Sequence, residues 1–377
     1  MNILWLYTAI HPVKPMPDAI IPIHAIKGRG AATRMPHRFE KDSRDAWDDG
    51  WGTLEEAAAC EPVRLQTEVT FEDARSAITH NDSPDIPFDY GLNPYRGCEH
   101  GCVYCYARPT HSYLNLSPGL DFETKIIAKR NIAEVLRADL ARRSYVLKLI
   151  SIGTATDCYQ PVERELRLTR GVIEVLQQAR HPFSLVTKSS GVERDLDLIV
   201  PMAADRLAAV YLTITTLDSE LARKLEPRAA TPQRRLRCIQ TLAAAGVPVG
   251  VSLAPQIPFV NEDMEHVLEA AWEAGARSAF YTVIRLPWEV APIFSEWLQL
   301  HYPQRAARIM ARIREMRGGK DYDSNFRARM MGDGVWADLI RQRFEKACHR
   351  LGFNQGRIEL DLSRFTPPGA LGQRHLF

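Results

Sequence analysis

The chain has 377 residues, 45% of them hydrophobic and 25% charged, with a formal net charge of +2. Such a length buries a large core, enough for one big α/β domain with additions or for two domains. A near-neutral balance gives no global support for a polyanion partner, although local basic patches stay compatible with one.

Residues 1–87 are rich in Pro, Gly and charge without a sustained period, and read as an N-terminal extension that wraps a core, with a short strand at "RLQTEVT" (64–70). The apolar start "MNILWLYTAIHPVKP" has no basic leader and is interrupted by Pro12 and Pro15, which argues against a secretory signal. Residues 1–15 are expected to be dispensable, Met16 being an alternative start. No run approaches the roughly 20 apolar residues of a membrane helix. Cys60, Cys158, Cys238 and Cys348 are scattered without framework spacing, so a cytoplasmic protein in a reducing compartment is expected.

From about residue 88, short β-branched runs alternate with longer amphipathic stretches, the pattern of βα units on a parallel sheet. Strands are predicted at 145–153, 183–189, 208–215, 247–255 and 278–287, with a first one just before Cys98. Six βα units ending near residue 300 give an α/β fold, a partial (β/α)6 barrel of TIM type. One helix, "TPQRRLRCIQTLAAAG", carries its own limits: Thr231 as N-cap, Pro232 in the first turn and Gly246 as the stop. Residues 301–377 read as C-terminal helices and a tail, "TPPGALGQRHLF", packed on the core. In "RAARIMARIREMR", Arg305, Arg308, Arg312 and Arg314 read as a solvated face.

Polar, small and Pro-bearing residues gather at the strand ends, in "GTATD", "TKSS", "TITT", "APQIP" and "RLP". In a barrel of βα units these ends form the mouth where active sites are built. The loop "NPYRGCEHGCVYCYARPTH" (93–111) follows the first strand onto that mouth and holds Cys98, Cys102 and Cys105 at C-x3-C-x2-C spacing. Structural zinc wants four ligands, usually from two separated pairs, and only His100 or His111 stands near enough to complete a set. A [4Fe–4S] cube takes one thiolate per iron, so three thiolates leave one iron open to a small molecule. A non-catalytic electron-transfer or structural metal site is the reading of a different class.

"CEHGCVYCY" resembles the cysteine signature of radical S-adenosylmethionine (SAM) enzymes, with Val103 at a variable position. "GRGAATRMPHRFE", "GLDFETKI", "VTKSSGVERDLDLI", "TTLDSELARKLEPRAATPQRRL" and "APQIPFVNE" are similar to an uncharacterised bacterial subgroup related to spore photoproduct lyase. The resemblance implies a partial (β/α)6 barrel, residues 88–300 here, and a [4Fe–4S] cluster on Cys98, Cys102 and Cys105. It implies reductive cleavage of SAM to a 5′-deoxyadenosyl radical that abstracts a substrate hydrogen. It also implies an electron donor such as flavodoxin or ferredoxin, and a substrate that is nucleic acid, as in DNA lesion repair, or else a protein or small molecule. Residue by residue, it implies that Tyr104 contacts SAM and Tyr106 faces the radical site. Thr156 would bond the SAM amino group and Asp157 would brace the loop, while Lys188 and Thr213 would reach the SAM carboxylate. Thr154 falls where the lyase has its hydrogen-donor cysteine, and Cys158 lies beyond it. Arg228 and Arg234 are candidates to steer a phosphate.

Overall fold

In chain order the strands are β1 (Glu68–Glu72), β2 (Ile78–His80), β3 (Tyr90–Leu92), β4 (Tyr95–Arg96), β5 (Lys125–Lys129), β6 (Ile150–Ile152), β7 (Phe183–Thr187), β8 (Ala208–Thr213), β9 (Val249–Gln256) and β10 (Ser278–Val283). They belong to a computed structural model that describes residues 24–40, 65–326, 328–356 and 358–369. Residues 1–16 and Cys60 lie outside the described residues.

Among the described residues, six strands run parallel in the order β10-β9-β8-β7-β6-β3, and β2 adds an antiparallel edge beside β3. This is the partial TIM-type barrel that the alternating pattern predicts. A side sheet, β1-β5-β4, carries the chain between the cysteine loop and the next unit.

Strand periodicity sorts the side chains. Leu185, Val210, Leu212, Val251 and Leu253 turn outward into one continuous core with the helices. That layer comprises α1 (Ile132–Ala141), α2 (Leu168–Gln178), α3 (Leu196–Ala204), α4 (Ser219–Leu225), α5 (Pro232–Ala244), α6 (Met264–Glu273), α7 (Val290–His301), α8 (Ala306–Glu315) and α9 (Val335–Leu351). The helix limits read from sequence hold for α5. Thr231 Oγ1 accepts from the Arg234 amide at 3.3 Å, and Gly246 turns the chain at φ +81°.

The inward positions are small: Gly91, Ser151, Ser184 and Ala209 stand in one register row. At Gly250 a Cβ would fall 2.3 Å from the Tyr211 ring, so glycine there makes room for the tyrosine inside the lumen.

Two expectations shift. The strand predicted at 145–153 forms only over Ile150–Ile152. Its partner β3 offers three residues, and Tyr145 instead donates to His181 Nε2 at 2.6 Å, the ring giving its Nδ1–H to the Pro182 carbonyl, and packs against Phe365. The strand sought at 64–70 forms at Glu68–Glu72, set by its register with β5. Arg305, Arg308 and Arg314, at and on α8, are exposed as a solvated face requires, and each also contacts the protein. Arg305 donates to the Phe259 carbonyl, and Arg308 stacks over the Phe259 ring at 4.3 Å. Arg312 stacks over Trp336 at 4.4 Å, and Arg314 bonds Asp321 at 2.6 Å. The tail docks through the Thr366 amide on the Ala179 carbonyl at 2.8 Å.

His181 gives the fold an acid limit. It is fully buried, and burial lowers its pKa from 6.5 to about 4, partly offset by its bond to the Pro182 carbonyl. The unfolded chain therefore binds a proton that the folded chain refuses. Stability is complete above pH 6.5 and falls as pH drops toward 4, by about 2 kcal/mol at pH 5. Urea midpoints should drop between pH 7 and pH 5, and His181→Gln should remove part of that slope. An unchanged slope in the variant would refute the assignment.

Candidate active site

The cysteine loop leaves β4 through Gly97, at φ +79°. A Cβ on Gly97 would lie 2.9 Å from both the His111 ring and the Phe122 carbonyl oxygen, so only glycine fits this close approach. The Cys98 amide donates to Phe122 O at 2.9 Å, and the Val103 amide donates to Leu225 O at 3.1 Å. These bonds tie the loop to the side sheet's lead-in turn on one side and to the end of α4 on the other.

Cys98 and Cys102 are buried and Cys105 is half-buried; all three thiols line one cavity of about 1700 Å³ at the strand ends. Burial, reinforced for Cys98 by Asp157, pushes the Cys98 thiol well up; burial carries Cys102 to about 12 against the pull of Lys188. Thiols held protonated this way need a metal centre to become thiolates. Among the described residues no three His, Cys, Asp or Glu side chains converge closely enough to share a single metal ion. Three thiols facing one cavity, each free to take its own iron, fit a [4Fe–4S] cube.

Charged groups brace the loop from all sides. Glu99 pairs with Arg228 at 3.0 Å and accepts from Thr67 Oγ1 at 2.7 Å and the Val162 amide at 2.6 Å. His100 Nδ1 stands 3.3 Å from Asp157 Oδ2. Asp157 also accepts from Thr187 Oγ1 and the Lys188 amide, both at 2.7 Å, joining the ends of β6 and β7 to the cysteine loop. Burial opposes the Asp157 charge, but His100 and these hydrogen bonds outweigh it and hold the carboxyl below its ordinary range.

Lys188 lines the cavity with Nζ 5.9 Å above the Tyr104 ring, and among the described residues it has no ion-pair partner. The Tyr104 hydroxyl donates to Glu226, which also accepts from Thr215 Oγ1 at 3.0 Å and pairs with Arg235. Arg235 donates onward to Thr213 O at 2.8 Å, and Thr213 lines the cavity.

Tyr106 is 44% exposed; its hydroxyl donates to the Thr154 carbonyl, and its ring faces the Arg285 guanidinium at 5.1 Å. The structure thus brings Cys98, Cys102, Cys105, Tyr104, Tyr106, Asp157, Lys188 and Thr213 to one cavity. Thr156 stands apart: it is buried, and its hydroxyl donates to the Tyr95 carbonyl at 3.0 Å, away from the cavity lining. Cys158 is fully buried behind Gly153, where a Cβ would lie 3.0 Å from its sulfur.

Arg228 and Arg234 do not stand free for a phosphate. Arg228 is held by Glu99, and Arg234 by a two-pronged pair with Glu193. The buried Glu226–Arg235 pair lies in the same stretch, "KLEPRAATPQRR". Sequence reasoning saw the charges of that stretch without their partners, which come from the cysteine loop, from β8 and from the segment after β7. Arg285 enters it only as part of "RLP" at a strand end and without a role, because a lone arginine after a strand carries no motif.

The family model described as the radical SAM superfamily matches residues 92–271. An uncharacterised protein of Mycobacterium tuberculosis is 35% identical over 254 residues, covering 66% of this chain and 74% of its own. The chain belongs to the radical SAM superfamily. An uncharacterised protein of Methanocaldococcus jannaschii is 27% identical over 215 residues, covering 57% of this chain and 77% of its own. Among solved structures, a spore photoproduct lyase variant is similar in fold, at TM-score 0.50 and 14% identity. It covers 76% of this chain and 80% of the lyase, as does a second variant with bound AdoMet and dinucleoside spore photoproduct, also at 0.50 and 14%. Membership implies radical SAM chemistry, for which the family uses an iron–sulfur cluster, SAM and a reductant. No helix among the described residues is long and apolar enough to cross a membrane.

Proposed function

We propose that the protein is a cytoplasmic radical SAM enzyme that modifies or repairs nucleic acid, with residues 88–300 as its catalytic unit and residues 1–87 and 301–377 as flanking elements. Cys98, Cys102 and Cys105 hold a [4Fe–4S] cluster, and a flavodoxin- or ferredoxin-type donor reduces it. When bound, the cluster and SAM together supply a carbon radical able to remove a substrate hydrogen.

The residues of this chain do the positioning. Lys188 and Thr213 receive the SAM carboxylate, Tyr104 packs against the cofactor, and Asp157 fixes the loop between them. Thr156 keeps the role implied by resemblance only if its hydroxyl also accepts from the SAM amino group. Tyr106 and Arg285 face the substrate.

One observation carries the substrate class. Of the cations lining the cavity, Lys148 before β6 pairs with Asp89, Arg206 before β8 donates to the Glu359 carbonyl at the same far end, and Arg329 pairs with Asp85. Lys188 and Arg285 have no carboxylate partner among the described residues; Arg285 donates only to Tyr322 Oη and Met330 Sδ, both at 3.3 Å. One unpaired cation suits the SAM carboxylate and leaves Arg285 for an anionic substrate such as a nucleotide.

The lyase reaction in its known form needs a thiol donor, and Thr154 occupies that place while Cys158 is walled off. Cys158→Ala is therefore expected to leave the product yield per SAM cleaved unchanged.

The test is an anaerobic assay of reduced, reconstituted protein with SAM and ultraviolet-damaged DNA. Lesion loss should accompany 5′-deoxyadenosine formation, and Arg285→Gln should raise KM for DNA about tenfold with SAM binding intact, the loss of one charge-assisted contact of about 1.5 kcal/mol. SAM cleavage that ignores DNA would overturn the nucleic-acid reading and favour a protein or small-molecule substrate. No SAM cleavage at all would favour an electron-transfer or structural role.

A further inference from the structure

The segment Gly28-Arg29-Gly30-Ala31 crosses directly behind the cysteine loop. Gly30 presses so close that a Cβ there would fall 1.8 Å from the Gly101 carbonyl oxygen. The contact is reciprocal: Gly101 sits at φ +68°, and a Cβ on it would meet Gly30 N at 3.3 Å and Glu123 Oε2 at 2.7 Å.

Glu123 is the joint between the two. Its fully buried carboxylate accepts from the Gly30 amide at 3.0 Å and the Ala31 amide at 2.9 Å. It also pairs with Arg108 at 2.5 Å. Arg108 in turn donates to the Cys102 carbonyl at 2.9 Å and the Gly101 carbonyl at 3.2 Å, both within the loop itself. Arg29 pins the crossing segment from its other side, donating to the Glu123 carbonyl at 2.8 Å and to the Leu65 carbonyl at 2.5 Å. Arg29, Arg108 and Glu123 are buried; Glu123 and Arg108 pair with each other, and the Arg29 guanidinium is held by two carbonyl oxygens, so each is hydrogen-bonded, which is the condition for a rigid rather than a costly network.

We propose that the Gly28–Ala31 strap, joined through Glu123 and Arg108, is the rear wall of the cysteine site: it sets the positions of Cys98 and Cys102 and closes them to solvent on the side away from the cavity. Arg29, Gly30 and Glu123 are positioning residues. This gives the N-terminal extension a task at the site, and it rests on reading the three thiols as one functional unit.

The test uses the full-length protein without added metal. Wild type, Arg29→Ala, Arg29→Lys and Gly30→Ala are treated with iodoacetamide under native conditions, and the alkylated cysteines are quantified by peptide mass spectrometry. Arg29→Ala and Gly30→Ala are expected to speed alkylation of Cys98 and Cys102 about tenfold, which is about 1.4 kcal/mol of local opening. Cys238 and Cys348, buried elsewhere, should stay as protected as in wild type, and Arg29→Lys should recover part of the protection. Wild-type rates at Cys98 and Cys102 in both variants would overturn the proposal. So would equal acceleration at all four cysteines, since that reports opening of the whole fold. Reconstituted samples exposed to air give a parallel readout, the strap variants losing their iron–sulfur absorbance faster. If the wild-type protein took up no cluster, the radical SAM site assignment would fall while the alkylation map still decided the strap.

Discussion

Alanine at any one of Cys98, Cys102 or Cys105 is expected to take the protein from one four-iron cluster per chain to none after anaerobic reconstitution. In the proposed cluster each thiolate would supply the sole protein bond to one iron, and two thiolates would not hold a cube against loss to solvent. Iron and acid-labile sulfide per chain measure the outcome. Alanine at Cys60, Cys158, Cys238 or Cys348, made one at a time, should leave that content unchanged. Cys158 and Cys238 are fully buried and Cys348 is buried on α9, and none of the three lines the cavity. Loss of the cluster in one of these variants would reveal a fourth protein ligand and close the open iron on which SAM binding depends.

The second large effect belongs to Glu226. Its carboxylate is shared by Arg235, Tyr104 and Thr215 in a region with no access to water. Burial opposes its charge, yet Arg235 and Lys188 hold its pKa below the ordinary range. Glu226→Ala strands the Arg235 guanidinium, which is 1% exposed, without an anion. The expected cost is about 3–5 kcal/mol, the range for breaking a buried pair from one side. Glu226→Gln keeps the bonds to Tyr104 and Thr215 and should cost less. Urea unfolding of both variants checks the order. A loss under about 1 kcal/mol in the alanine variant would mean that water or another carboxylate replaces the missing charge.

The parts legible in the sequence are those whose signal is local. β7, β8, β9 and β10 were visible because each is a run of five to eight mostly apolar or small residues between helical patterns, and α5 because its cap and stop lie close in the chain. The cysteine loop was visible because three thiols within eight residues have few uses. What stayed hidden depends on distant partners. Asp157 is marked as a loop brace only through resemblance, and its partners His100, Thr187 and the Lys188 amide appear only once β7 and the cysteine loop close around it. Glu123 lies in "GLDFETKI" with nothing to mark it, since its role arises from a segment about ninety residues earlier. Charges in "KLEPRAATPQRR" look the same whether they face solvent or, like Glu226 and Arg235, lie at the centre of the site. β6 was overlong on paper because apolar residues continue past the point where β3 stops offering a partner.

The small inward row of the barrel has a consequence for what the protein admits. Gly91, Ser151, Ser184 and Ala209 make a thin wall, whereas their neighbours Leu185 and Val210, one residue along the same strands, hold the helices. Because a strand turns successive side chains to opposite faces, the two jobs never share a position. Enlarging Ala209 or Ser184 would thicken the wall and subtract from the space for a guest without disturbing a single contact of the helical layer. Guest size and foldedness are thereby independent variables in this barrel, and a lineage of such proteins can be refitted for a new occupant by changing methyl-sized positions while the scaffold stays as it is.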